Sequence, residues 1–227
     1  MLQPLKFGVS AVTADGRDVG TLYRVVVAEQ VLPEGPVYTV IAVTVRRRLM
    51  ESGNLLKPGG WDAPRDLKVP FTQVTGADED EARLSLTEEE FLALPPYIIG
   101  DVPEPEPGSP PPPGFRAEDI TMRVGALLGG ALYEPPHDEQ ENRGPSERHV
   151  SQGSGVWRGT PHEHIGDLDR VLMDDVSNAV AGLVVRRGAL FTHEVVVPAR
   201  AITVLLDDLV HVELPGNTSA LEEYRTE

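Results

Sequence analysis

Ile165-Gly166-Asp167-Leu168-Asp169-Arg170-Val171 has a counterpart far upstream, Val19-Gly20-Thr21-Leu22-Tyr23-Arg24-Val25, with Gly166 lying 146 positions after Gly20. Working outward, Val43-Thr44-Val45-Arg46-Arg47 matches Leu183-Val184-Val185-Arg186-Arg187, with Arg186 lying 140 positions after Arg46. Val69-Pro70 matches Val197-Pro198 at a separation of 128, and the match then runs on without a gap. It passes through Thr75 and Thr203, Asp80 and Asp208, and Leu86 and Leu214. Three blocks in one order, each with shared polar or special residues, mark an internal duplication. The shrinking separation places the extra residues of the first copy in two connections, Glu29 to Pro36 and Glu51 to Arg65. Both are rich in Pro and Gly, as connections that tolerate insertion are.

Each copy reads as four or five short strands. In the second copy they are Gly166 to Met173, Ala181 to Arg187, Phe191 to Val197 and Leu209 to Leu214, separated by Asp, Ser, Asn, Gly and Pro turn residues. Val210, Val212 and Leu214 alternate with His211 and Glu213, the period-two pattern of a half-buried strand. Thr87 caps a short helix over Glu88 to Leu92, with Glu90 in the capping-box position, and Thr218 or Ser219 caps another over Ala220 to Tyr224. The fold class this predicts is mainly all-β: two small barrel-like domains with short terminal helices, at 1–100 and 156–227. The connection between them, 101–155, holds the run Pro110 to Pro113, which favours an extended spacer. It also holds a short apolar segment at 119–133 and a loose polar stretch from Glu134 to Gly155.

Composition narrows the function classes. Aromatic residues are only 5% of the chain, so Val, Leu, Ile and Ala must form the core. The net charge of −16 repels polyanions, so direct nucleic-acid binding is not expected. Arg46 to Arg48 and Arg186 with Arg187 are local exceptions, expected as solvated strand ends. Without cysteine there is no disulfide, thiolate chemistry or Cys-ligated zinc, which fits a cytoplasmic protein. No apolar run approaches the ~20 residues of a membrane span, so no transmembrane segment is expected.

The pattern Ile165-Gly166-Asp167-Leu168 with Val171-Leu172, then Val180 to Val185, then Val195 to Pro198, resembles the PRC-barrel family. The first copy resembles it through Val19 to Leu22, Val43 to Val45 and Val69-Pro70. The resemblance implies a small, strongly bent β-barrel that serves in assembly and interaction. Members occur in the H subunit of photosynthetic reaction centres and in ribosome maturation factors. The motif carries no catalytic residues, and fold alone does not assign a role.

Several residues invite chemistry. His162 and His164 flank Glu163, and on a strand alternate side chains share a face, so both imidazoles can meet one metal, with His149, Asp167 or Asp169 as a third ligand. The repeat aligns this triplet with Gly16-Arg17-Asp18 beside the hairpin signal Asp15-Gly16, which predicts an exposed turn tip instead. Asp174-Asp175, Asp207-Asp208 and Asp78 to Glu81 lack calcium-loop spacing and read as turns. Trp157, Met122, Leu127 and Leu128 are the candidates for contact with a partner, and Trp61 is a further anchor candidate, with core or lid packing as the other reading of each tryptophan. The expectation is a non-catalytic binding or scaffolding protein with a protein partner or a second copy, and no cofactor. A metal-dependent enzyme built on His162 and His164, and a ribosome-assembly accessory factor by family analogy, are the alternatives.

Overall fold

The structure, a computed structural model, describes residues 2–33, 35–47, 66–99, 140–159, 163–188 and 193–214. Met1–Tyr97 and Arg143–Glu227 form one compact unit, and Ile98–Asn142 a second. In the second unit, strands β8 (Ile98–Ile99) and β9 (Gln140–Glu141) pair antiparallel.

The first unit is built from the duplication. The first copy supplies β1 (Leu2–Lys6), β2 (Ser10–Val12), β3 (Asp18–Leu32), β4 (Gly35–Arg46), β5 (Asp66–Pro70), β6 (Val74–Ala77), β7 (Glu81–Leu84) and the helix α1 (Glu88–Leu92). The second supplies β10 (Glu147–Ser151), β11 (Gly155–Arg158), β12 (Glu163–Asp174), β13 (Val180–Arg187), β14 (His193–Pro198), β15 (Ile202–Leu206) and β16 (Leu209–Val212). The sheets run β5-β4-β3-β2-β7-β6 and β14-β13-β12-β11-β16-β15, the same order twice. β2 with β7 and β11 with β16 are the parallel pairs. The all-β expectation holds, but among the described residues each hydrogen-bonded path is open and not a closed barrel. Its ends, β5 and β6 or β14 and β15, are joined by a single 3-10 turn directly after Pro70 or Pro198. Proline contributes no N–H with which to extend the ladder there.

The seventh strand of each sheet comes from the other copy. β1 pairs antiparallel with β12, Leu5 opposite Val171, and β10 pairs with β3, Val150 opposite Val25. The two copies therefore exchange their leading strands reciprocally. Residues 147–151, expected in the loose connection, are an integral strand of the first copy's sheet. Leu5, Val25, Val43, Val150, Val171 and Val197 belong to one continuous core drawn from both copies. Val and Leu dominate it as composition required, while Tyr38, Tyr97 and Phe91 are the largest fully buried side chains.

The glycines of the opening motif answer to backbone crowding. A Cβ on Gly20 would strike the carbonyl oxygen of Arg46, and one on Gly166 that of Arg186. Next to them the pairing skips one residue, Val19 or Ile165, so each sheet bends at the same β-bulge. A second skip falls at Tyr23 and Asp169. The capping box at Thr87 and Glu90 forms as expected: Thr87 Oγ1 accepts from the Glu90 N–H, and Glu90 accepts from the Thr87 N–H at 2.9 Å. The counterpart expected at 220–224 lies outside the described residues. Among the described residues, no helix is long and apolar enough to cross a membrane.

Candidate functional site

Three clusters of polar side chains stand out in the first unit. The first two are equivalent by the repeat and sit at the Tyr23 and Asp169 bulges. At the first bulge, Arg24 and Arg46 converge on the buried Asp66: Arg46 Nε donates to Asp66 Oδ1 at 2.8 Å, and Arg24 donates to Asp66 Oδ2. The Tyr23 ring lies beneath both guanidinium groups, 3.2 Å from Arg46 Cζ and 4.5 Å from Arg24 Cζ. At the second, Arg170 and Arg186 both donate to the buried Asp169, and Arg170 also donates to Glu194 at 3.0 Å. Glu194 corresponds to Asp66. Arg170 reaches across the copies as well, to Glu79, which Lys6 of the exchanged β1 also binds at 3.1 Å. Arg46 and Arg186, expected as solvated strand ends, are partly exposed and also ion-paired: Arg46 lies opposite Asp66 in register on β5, and Arg186 reaches Asp169 on β12.

The third cluster surrounds His149 on the exchanged β10, which is 3% exposed. The Tyr97 hydroxyl is 3.0 Å from His149 Nδ1. Asp207 lies 3.3 Å from Nδ1 and Asp208 3.6 Å from Nε2. Ser151 Oγ and Ser154 Oγ both donate to Asp208 Oδ1, and Arg143 holds both oxygens of Asp207 at 2.8 and 2.6 Å. The His149 hydrogen bond, opposed by burial and joined by both serine hydroxyls, holds the Asp208 carboxyl well below the usual carboxylate range. An activated serine would donate its hydrogen bond to the imidazole; here both hydroxyls donate theirs to the Asp208 carboxylate. The cluster ties β10 to the β15–β16 turn, where Asp208 adopts φ 58°. The acidic pair read as turn chemistry is a turn, but the histidine it anchors was not paired with it by sequence reasoning. The signal available was Asp207-Asp208 at the position of Glu79-Asp80, a point of contact with the opposite copy.

Of the predicted site residues, His164 and Trp157 are described, and their rings are in contact. Glu163 and His164 are not a turn tip: they open β12, paired with Arg158 and Trp157. The turn sits earlier in the first copy, at Thr13 to Arg17, with Gly16 at φ +76°. His164 is 42% exposed, its Nε2 3.2 Å from Asp167 Oδ1, and its ring packs at a tilt against Trp157 with centroids 4.7 Å apart. His149 and Asp169, the other expected ligands, are committed to the clusters above. Trp157 is half-buried on β11, between His164 and His211 in register, with its indole over Gly155. His162, Trp61, Met122, Leu127 and Leu128 lie outside the described residues. Asp78 and Asp174 each accept two backbone N–H groups of their own turns, as turn chemistry predicts. Neither the known protein-family models nor the curated proteins contain a match to this chain.

Proposed function

We propose that this chain is a non-catalytic binding or scaffolding protein of tandem PRC-barrel type, acting in the cytoplasm through protein–protein contact. The observation that carries the reading is the reciprocal exchange of β1 and β10. It joins the two copies through backbone pairing and the Arg170–Glu79 and Lys68–Glu147 ion pairs, and leaves sheet edges, turns and one projecting hairpin for contact with other molecules. The family part of the reading is supported by the motif residues, since Gly20 and Gly166, and Pro70 and Pro198, fall at equivalent bends of the two sheets. Stoichiometric recovery of a protein partner with the intact chain from its own cells, retained after washing, is the expected result. A purified chain that turns over a substrate would overturn it.

A metal-dependent reading keeps one geometric support, the 3.2 Å approach of His164 to Asp167. Metal analysis of the purified chain, with thermal shifts on adding Zn²⁺ or Mn²⁺, decides it. Stoichiometric metal lost in His164→Ala would favour this reading over scaffolding.

A further inference from the structure

Among the described residues, the two copies differ where β3 and β4 run on past their counterparts. β12 ends at Asp174 and β13 begins at Val180, with a tight turn between. The β3–β4 hairpin continues from Glu29 opposite Tyr38 to Leu32 opposite Gly35. That extension carries exposed apolar residues, Val31 (78% exposed), Leu32 and Val37. Two turns of the second copy flank its base. The Val40 N–H donates to the Asn178 carbonyl, and Thr39 bridges Ala179, which brings in Val176, 87% exposed. β15 also lies against β4, and the exposed pair Leu206 and Leu209 sits at its β15–β16 turn.

Each apolar spot is accompanied by carboxylates: Glu29 on the hairpin, paired with Arg148; Asp174 and Asp175 beside Val176; and Asp207, held by Arg143, with Asp208 between the leucines, so that the rim remains net acidic. Beyond Glu29, whose N–H donates to the Ser146 carbonyl, no ladder partner faces the outer edge of β3 among the described residues. Such an edge accepts an added strand, and alternating side chains supply specificity. A second copy would bring one acidic rim against another, in a chain of net charge −16. A cationic segment instead gains at the rim and in the rate of encounter.

We infer that this hairpin and its two flanking turns form a docking surface for an extended, basic segment of a partner protein whose alternate residues are apolar. The inference rests on the binding reading above and names the chemistry of the partner. The probe is a short fluorescent peptide in which leucine and lysine alternate, with a leucine–glutamate peptide as control, titrated into the full chain by anisotropy. The lysine peptide binds and the glutamate peptide does not. The triple variant Val31→Ser, Val37→Ser, Leu206→Ser weakens binding by about tenfold or more, since each truncation removes buried apolar area in the complex. These positions are exposed, so the variant keeps the wild-type melting curve. Asp175→Lys independently weakens the lysine peptide. Equal binding by the triple variant, preference for the glutamate peptide, or a dimer of the chain that the triple variant dissolves would each overturn the inference. A natural partner still retained by the triple variant removes this surface while leaving the binding role intact.

Discussion

Tyr23 and Asp169 occupy the same bulged position in the two copies and hold the same pair of arginines by different chemistry. Tyr23 offers a ring face to Arg24 and Arg46, with Asp66 supplying the charge. Asp169 offers the charge itself to Arg170 and Arg186. The duplication thus contains its own comparison of two solutions to one desolvation problem.

The two solutions differ in cost of removal. Asp169→Asn leaves the buried Arg170 short of a counter-charge and costs about 3 kcal/mol, the low end for breaking a buried pair because Glu194 and Glu79 remain. Tyr23→Leu removes the ring and hydroxyl interactions with partly exposed guanidinium groups and no charge, about 1 kcal/mol. Urea midpoints of the two variants, with equal slopes, check the order. A Tyr23 variant less stable than the Asp169 variant would contradict it.

The paired glycines give a second comparison. Gly20→Ala and Gly166→Ala both drive a Cβ into a carbonyl oxygen of the next strand. Gly20 also has φ +143°, which a side chain resists, and Gly166 is not in that region. Both variants lose stability, and Gly20→Ala loses more, by about 1–3 kcal/mol of backbone strain. Thermal unfolding of both under one buffer reads the difference directly; equal losses would mean the clash alone matters.

Much of this was legible in the chain. The repeat offsets, the glycine pair, the prolines and the Thr87–Glu90 capping box are local signals, and each named an element that formed. The exchange was not legible. A five-residue strand such as Leu2 to Lys6 or Glu147 to Ser151 reports burial but not which sheet receives it. β10 was harder still, because Glu147-Arg148-His149-Val150-Ser151 reads as polar loop. Its His149 and Ser151 are buried only because Tyr97, Asp207 and Asp208 arrive from distant positions to bond them. Adjacency joins His162 to His164 in the sequence, whereas the contacts of His164 with Trp157 and of His149 with the acidic turn are tertiary and leave no local signal.

The acidic turn makes stability depend on pH. Asp208 has its pKa lowered in the folded state, first through His149, against the opposing effect of burial. Its contribution is complete above the unfolded carboxylate range, about pH 3.9, and is lost as pH falls below that range toward the folded value. Asp208→Asn removes that contribution, so the variant is less stable at neutral pH and its stability falls less steeply between pH 5 and 2, as roughly expected from linkage. Denaturation midpoints across that interval test it. A variant with the wild-type acid slope would place the transition on other carboxylates.

Reciprocal exchange has a consequence for the intact chain that linear connection does not share. Each copy contributes a strand to the other's sheet, with Leu5 and Val150 fully inside the common core. Separating the copies would strip β1 from β12 and β10 from β3, expose both valine-lined edges, and break the Arg170–Glu79 and Lys68–Glu147 ion pairs. A protease site placed within 101–114 and cut to completion should therefore leave two polypeptides that elute as one particle with the mass of the uncut chain by light scattering. They should come apart only with loss of the β-sheet signal in denaturant, as one cooperative transition. Fragments that separate under native buffer while keeping their secondary structure would mean that each copy completes its sheet without the exchanged strand, and the basis of the scaffolding reading would fail with it.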